Sequence, residues 1–135
     1  MQKLFFTICL TLSLLHHAQA EEIKVEVLAK SGKSWDGATL PNYPQGEPEM
    51  TIVKVTLPPR SQTPVHKHPF ILGGIVLKGE LTVITEENKT MHFKTGDAVL
   101  EVVNTWHQGN NDTDETVEIL VFYVGIKGEP VSINK

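Results

Sequence analysis

No stretch from Glu22 onward sustains the three-to-four-residue apolar repeat of an amphipathic helix. Instead, short alternating runs are cut at even intervals by Gly, Pro and Asn. Residues 22–28 (EIKVEVL) alternate as a short strand, and a Gly- and Pro-rich loop follows over 31–48. Residues 50–57 (MTIVKVTL) are β-branched and alternating, and Pro58-Pro59 stops them. Residues 60–64 read as a turn, and 65–77 as a strand bent at Gly73-Gly74. Further strands are expected over 80–85, 90–94, 98–103, 106–110 and 116–125. Turns at Gly79, Gly96, Asn104 and 111–115 separate them, since Gly and Asn tolerate left-handed backbone angles. Many short strands with tight turns predict an all-β sandwich or barrel.

The chain has 135 residues, enough for one domain with a sheet-based core. Its first twenty residues are distinct: Lys3, an apolar run, then Ala18-Gln19-Ala20. That pattern predicts a secretory signal over 1–20, cleaved after Ala20, and a single domain over 21–135. The mature protein is then expected in the periplasm or outside the cell, with no membrane anchor. Cleavage removes Lys3 and Cys9, leaving 11 basic residues against 16 acidic ones and a net charge of -5. With no basic block, nucleic acid is excluded as a partner. With no cysteine, thiol nucleophiles, thiolate metal sites and disulfides are excluded too.

Four histidines survive cleavage: His66, His68, His92 and His107. His66 and His68 are two apart, so a strand sets both rings on one face. His107 lies some forty residues on, beside another turn. Three neutral imidazoles can occupy one side of a metal's coordination shell and leave the other positions open. His92, in Thr90-Met91-His92-Phe93-Lys94, shares a face with Thr90 and Lys94 and is expected to face solvent.

Two stretches resemble the motifs of the cupin family. RSQTPVHKHPFILGGIVLKG places His66, His68 and Gly79 in register with the first motif, with Arg60 where the motif has Gly and Leu72 where it has Glu. GDAVLEVVNTWHQGNN places Gly96, His107 and Asn111 in register with the second, with Val102 for its Pro and Asn104 for its Gly. The motifs span about residues 60–111, and the resemblance implies a double-stranded β-helix, the jelly-roll barrel, with a metal at its open end. It implies His66, His68 and His107 as ligands of a divalent transition metal, whether Fe, Mn, Ni or Zn. It also implies association as a homodimer through edge strands, with the strand from Glu22 as a contributor.

Leu72 cannot coordinate, so the implied site has three histidines or borrows a carboxylate. Glu101 is the candidate fourth ligand; otherwise it is an exposed or ion-paired strand residue. Three neutral ligands leave a divalent ion its full charge, which favours an anionic substrate or a metal-bound hydroxide. Trp106 and Gln108, flanking His107, are candidate pocket residues, although Trp106 also suits the core. Trp35 and Tyr43 lie in the Gly/Pro loop and are candidates for a lid, with Tyr43 also a pocket candidate. Asn111 is expected to tie down the turn after His107. Three functions follow: a metal-dependent small-molecule enzyme of the dioxygenase kind, a non-catalytic cupin that binds a small ligand or metal, and a structural barrel with an empty site.

Overall fold

The computed structural model describes residues 22–135. The leader expected over 1–20 lies outside them. Ten strands follow in order: β1 (Pro48–Leu57), β2 (Ser61–Gln62), β3 (His66–Lys67), β4 (Ile71–Lys78), β5 (Glu80–Thr85), β6 (Thr90–Lys94), β7 (Ala98–Leu100), β8 (His107–Asn111), β9 (Val117–Ile126) and β10 (Ile133–Asn134). No helix occurs among the described residues.

Two antiparallel sheets face each other. One has the order β1-β9-β4-β7; the other runs β10-β3-β8-β5-β6, with β2 also on β8. The chain therefore crosses between the layers at every step except β2 to β3 and β5 to β6, which stay in one sheet, as in a jelly roll. Alternation along each strand explains the core. In β9, Val117, Ile119 and Tyr123 turn inward and are buried, while the residues between them are half-buried. Val117 and Ile119 meet Leu57, Val76 and Val99 of their own sheet and Leu81, Val83 and Phe93 of the other.

The turns obey their backbone chemistry. Gly79 and Gly96 sit at φ 80° and 92°, and Asn104 at 54°. Arg60, in the place of the motif's Gly, also takes a left-handed angle, φ 55°. It is steadied from outside: its Nε donates to Asp114 Oδ1 at 2.8 Å and its Nη1 to the Asp112 carbonyl at 2.7 Å. Asn111 is 1% exposed. Its Nδ2 donates to the carbonyls of Leu57, Pro58 and Glu115, and its Oδ1 accepts from the backbone and hydroxyl of Thr113.

Some expected elements differ. Residues 22–28 form no ladder. Ile23, Val25 and Val27 are exposed, at 95%, 89% and 70%. An alternating sequence makes a strand only when an edge receives it, and this segment takes none in its own chain. The strand expected over 98–103 ends at Leu100, because the backbone N–H of Val102 turns to the Glu101 carboxylate. The turn expected over 60–64 contains the short β2, and β10 had no expectation.

Candidate metal centre

The two sheets bring three histidines together from distant parts of the chain. β3 and β8 pair with His66 directly opposite His107. His68 follows β3, its ring turned by a bond to the carbonyl of Val131, far along the chain. Ring centroids stand 4.4 Å apart for His66 and His107, 4.8 Å for His66 and His68, and 5.1 Å for His68 and His107. One ligand nitrogen from each ring lies within 4.8 Å of the others. His68 and His107 are buried and His66 half-buried.

Hydrogen bonds settle the tautomer of all three rings. Nδ1 of His66 faces the Pro64 carbonyl at 2.8 Å, Nδ1 of His68 that of Val131 at 3.0 Å, and Nδ1 of His107 that of Thr105 at 2.8 Å. A carbonyl only accepts, so each Nδ1 carries the proton and each Nε2 keeps its lone pair. Such a bond is the usual support of a ligating histidine. Burial lowers the pKa of all three rings, that of His68 to about 3, and their mutual repulsion adds to it for His66 and His68. The rings are therefore neutral at pH 7. Three neutral, oriented nitrogen donors fit a divalent transition metal.

The histidines border a cavity of about 100 Å³ between the sheets. Its wall is apolar, from Val55, Leu57, Leu72, Val83, Ile119 and Val121 among others, with Thr63, Glu101 and Tyr123 as the remaining polar side chains. Leu72, at the motif's Glu position, is 3% exposed and pairs across the ladder with Tyr123. The Tyr123 ring packs tilted against that of His68, centroids 5.4 Å apart, and burial raises its phenol pKa, with the nearby Glu101 adding to this.

Glu101 reaches the cavity but does not join the cluster of mutually close ligand atoms. Its Oε1 accepts from Trp35 Nε1 at 2.6 Å and from the backbone N–H of Val102 at 2.8 Å. Burial pushes its carboxyl pKa up, against the pull of those two donors and of His66. In this structure Glu101, the candidate fourth ligand, is a carboxyl tethered to the cavity wall outside the three-histidine group. Trp35 is a strut of that wall, its backbone N–H bonded to the Leu100 carbonyl.

The three expected pocket residues lie elsewhere. Tyr43 is 71% exposed. Trp106 is half-buried beneath the Lys67 ammonium, 4.8 Å from its ring, and Gln108 bonds to Asn110 and Gln62. None lines the cavity. In β8 the odd positions point inward, so the neighbours of His107 point out. His92 is solvent-facing as expected and bonds to Thr82 Oγ1 at 2.9 Å. Tyr123 was the residue missed; period-two alternation from Ile119 places it on the inner face.

A jelly-roll barrel with three converging histidines defines a cupin-type metal site. The model of the family described as "Cupin domain" matches residues 53–123, just over half of the chain, and the chain belongs to this family. No curated protein matches it in sequence. Among solved structures it is similar to the DMSP lyase DddQ from Ruegeria pomeroyi DSS-3, at 22% identity and TM-score 0.55, over 64% of this chain and 43% of that one. It is also similar to a Cupin 2 conserved barrel domain protein from Salinispora arenicola CNS-205, at 20% identity and TM-score 0.50, over 55% and 61% of the two chains. A third is the salicylate 1,2-dioxygenase from Pseudaminobacter salicylatoxidans, at 24% identity and TM-score 0.50, over 55% and 21%. The chain spans less than two thirds of each, and identity this low establishes the fold alone.

Proposed function

We propose that this chain is a mononuclear metal-dependent enzyme acting on a small molecule, of the dioxygenase kind, with the metal on His66, His68 and His107. The observation that carries the reading is the shared tautomer: three Nδ1–H groups spent on backbone carbonyls, three Nε2 lone pairs free beside one cavity. Fe, Mn, Ni or Zn bound there would supply Lewis-acid activation of a chelated substrate and, for the redox-active metals, reaction with dioxygen. The chain's own contribution is legible in its residues. Thr63 Oγ1 accepts the Gly109 backbone N–H at 3.0 Å and stands 3.5 Å from His66 Nδ1, which limits the swing of that ring. Leu72 and the aliphatic wall exclude water from the ligand side. The Tyr123 phenol, its pKa raised, keeps its proton at neutral pH and supports hydrogen-bond donation to a bound substrate.

The test is metal analysis of purified protein with His66→Ala and His107→Ala, followed by oxygen uptake on catechols, flavonols and thiols. About one transition metal per chain, lost in both variants, is the expected result. Metal without turnover would favour the non-catalytic binding cupin instead, and no metal at all would overturn the metal-dependent enzyme.

We further infer export through the leader at 1–20 and pairing of two copies. Two features support pairing: the unladdered Ile23, Val25 and Val27, and the free edge of β1 with exposed Met50 and Ile52. In solution the expected mass is that of two chains, falling to one when Val25 and Val27 are replaced by Lys.

A further inference from the structure

Two of the three histidine rings are oriented by their own loops. The carbonyls that accept from His66 and His107, those of Pro64 and Thr105, lie two residues before each ring. His68 differs: its acceptor, the Val131 carbonyl, lies 63 residues further along the chain. Local folding fixes two rings, and a remote segment fixes the third.

That segment, residues 127–135, lies beyond residues 53–123, which the family's model matches. It turns off β9 at Gly128, φ 82°, where the Glu129 N–H donates to the Ile126 carbonyl at 3.1 Å. It then crosses to the other sheet and joins β3 as β10, with Ile133 opposite Lys67 and Asn134 opposite His66. Its hold is slight. All of its residues are exposed except the half-buried Val131. The Lys135 N–H donates to the Val65 carbonyl at 3.0 Å, and exposed ion pairs join Lys135 to Glu86 and Lys127 to Glu47. Exposed pairs contribute little, and a segment with so few buried contacts opens locally. What it holds is not exposed: His68 is buried at 3%. Once the segment lifts, the His68 Nδ1–H has no protein acceptor. The proton is then free to sit on Nε2, or the ring to turn, and either takes away the lone pair at the site.

We propose that residues 127–135 are a positioning strap for the site. Docked on β3, the strap presents the Val131 carbonyl to His68 and completes the three-nitrogen face. Undocked, it leaves only His66 and His107 oriented. Linkage makes the coupling reciprocal: an ion that binds the docked form better holds the strap down by the same factor. The part that concerns the ion rests on the metal-dependent reading; control of the His68 tautomer needs no metal.

The test follows the His68 proton, the affinity for Zn²⁺ and the strap itself. In metal-free protein at neutral pH, imidazole ¹⁵N shifts are expected to show Nδ1–H at both His68 and His107. A chain ending at Pro130 is expected to lose that form at His68 and keep it at His107, whose Thr105 acceptor is local. A merely structural defect would disturb both rings alike. Zn²⁺ affinity, read by competition with a chromophoric chelator, is expected to fall about ten- to hundredfold in the shortened chain. Lys135→Ala loses the pair with Glu86 but keeps Val131, and is expected to stay within about threefold of wild type. In the unaltered chain, bound Zn²⁺ is expected to slow hydrogen exchange at the Lys135 amide by about tenfold or more. The Asp97 amide, in the turn after β6, is the control and should slow less. This measurement needs no variant, so it decides the matter even where the shortened chain does not fold. A His68 tautomer unchanged by shortening, an unchanged Zn²⁺ affinity, or a Lys135 amide indifferent to bound Zn²⁺ would overturn the proposal. Failure of the metal reading would show separately, as wild-type protein that binds no Zn²⁺ while the His68 proton still follows the strap.

Discussion

Acidification should destabilise the metal-free protein through His68. This ring is 3% exposed, donates from Nδ1 to the Val131 carbonyl, and faces two other imidazoles. Burial holds its folded pKa at about 3, against 6.5 for a free ring. The sign follows from proton counting. Above pH 6.5 neither state binds the proton, so His68 leaves stability unchanged. Between 6.5 and 3 the unfolded chain binds it and the native state does not, so stability falls as pH falls. At about 1.36 kcal/mol per pH unit, the loss is roughly 3 kcal/mol at pH 4.5 and levels off near roughly 5 kcal/mol below pH 3. His66 and His107, also lowered by burial, act in the same direction. Against a total of about 5–15 kcal/mol, the full loss is roughly a third or more of the domain's stability. Urea unfolding at pH 7 and pH 4.5, with chelator present, measures it. His68→Leu removes the titrating ring while keeping an apolar group of similar bulk, so its loss between the two pH values should be smaller than wild type by roughly 3 kcal/mol. Equal losses in the two proteins would refute the reasoning, because the carboxylates common to both would then account for the acid sensitivity.

Three further outcomes are expected. Asn111→Ala strands carbonyls of Leu57, Pro58 and Glu115 and the Thr113 donors, and should destabilise by about 3 kcal/mol or more in urea; a loss below 1 kcal/mol would mean that water replaces the amide. Gly79→Ala puts a Cβ within 3.0 Å of the Thr116 carbonyl oxygen at φ +80°, and should lower stability by about 1–3 kcal/mol, while Gly96→Ala, at φ +92° with open space around it, should cost less. Saturating Zn or Mn should raise the melting temperature of wild type and leave His66→Ala unmoved, since an ion at 100 times its Kd adds about 2.7 kcal/mol; an equal rise in both would place the ion elsewhere.

Strand content and turn positions were legible because both are local. Alternation with period two marked β1, β5, β6 and β9 closely, and backbone sterics marked Gly79, Gly96 and Asn104 as left-handed turns. The three histidines were legible as a pair at i and i+2 plus a distant third, and the cupin resemblance put them in one site. Legibility ended where partners come from afar. Nothing near Glu101 in the chain announces Trp35, 66 residues away, as the donor to its carboxyl. Nor does the segment around His68 announce the Val131 carbonyl.

The amino-acid order alone thus determined an all-β chain, its turns, and the residue types able to hold a metal, since these depend on side-chain period and backbone sterics within a few residues. Only the packing of the two sheets decided which faces close over the chamber. That turned Trp106 and Gln108 outward, brought Tyr123 inward against His68, and left Ile23, Val25 and Val27 without an edge to join. Tautomer and charge belong to the same level. A histidine's proton goes where an acceptor stands, and the acceptors for His68 and Glu101's donors come from opposite ends of the chain.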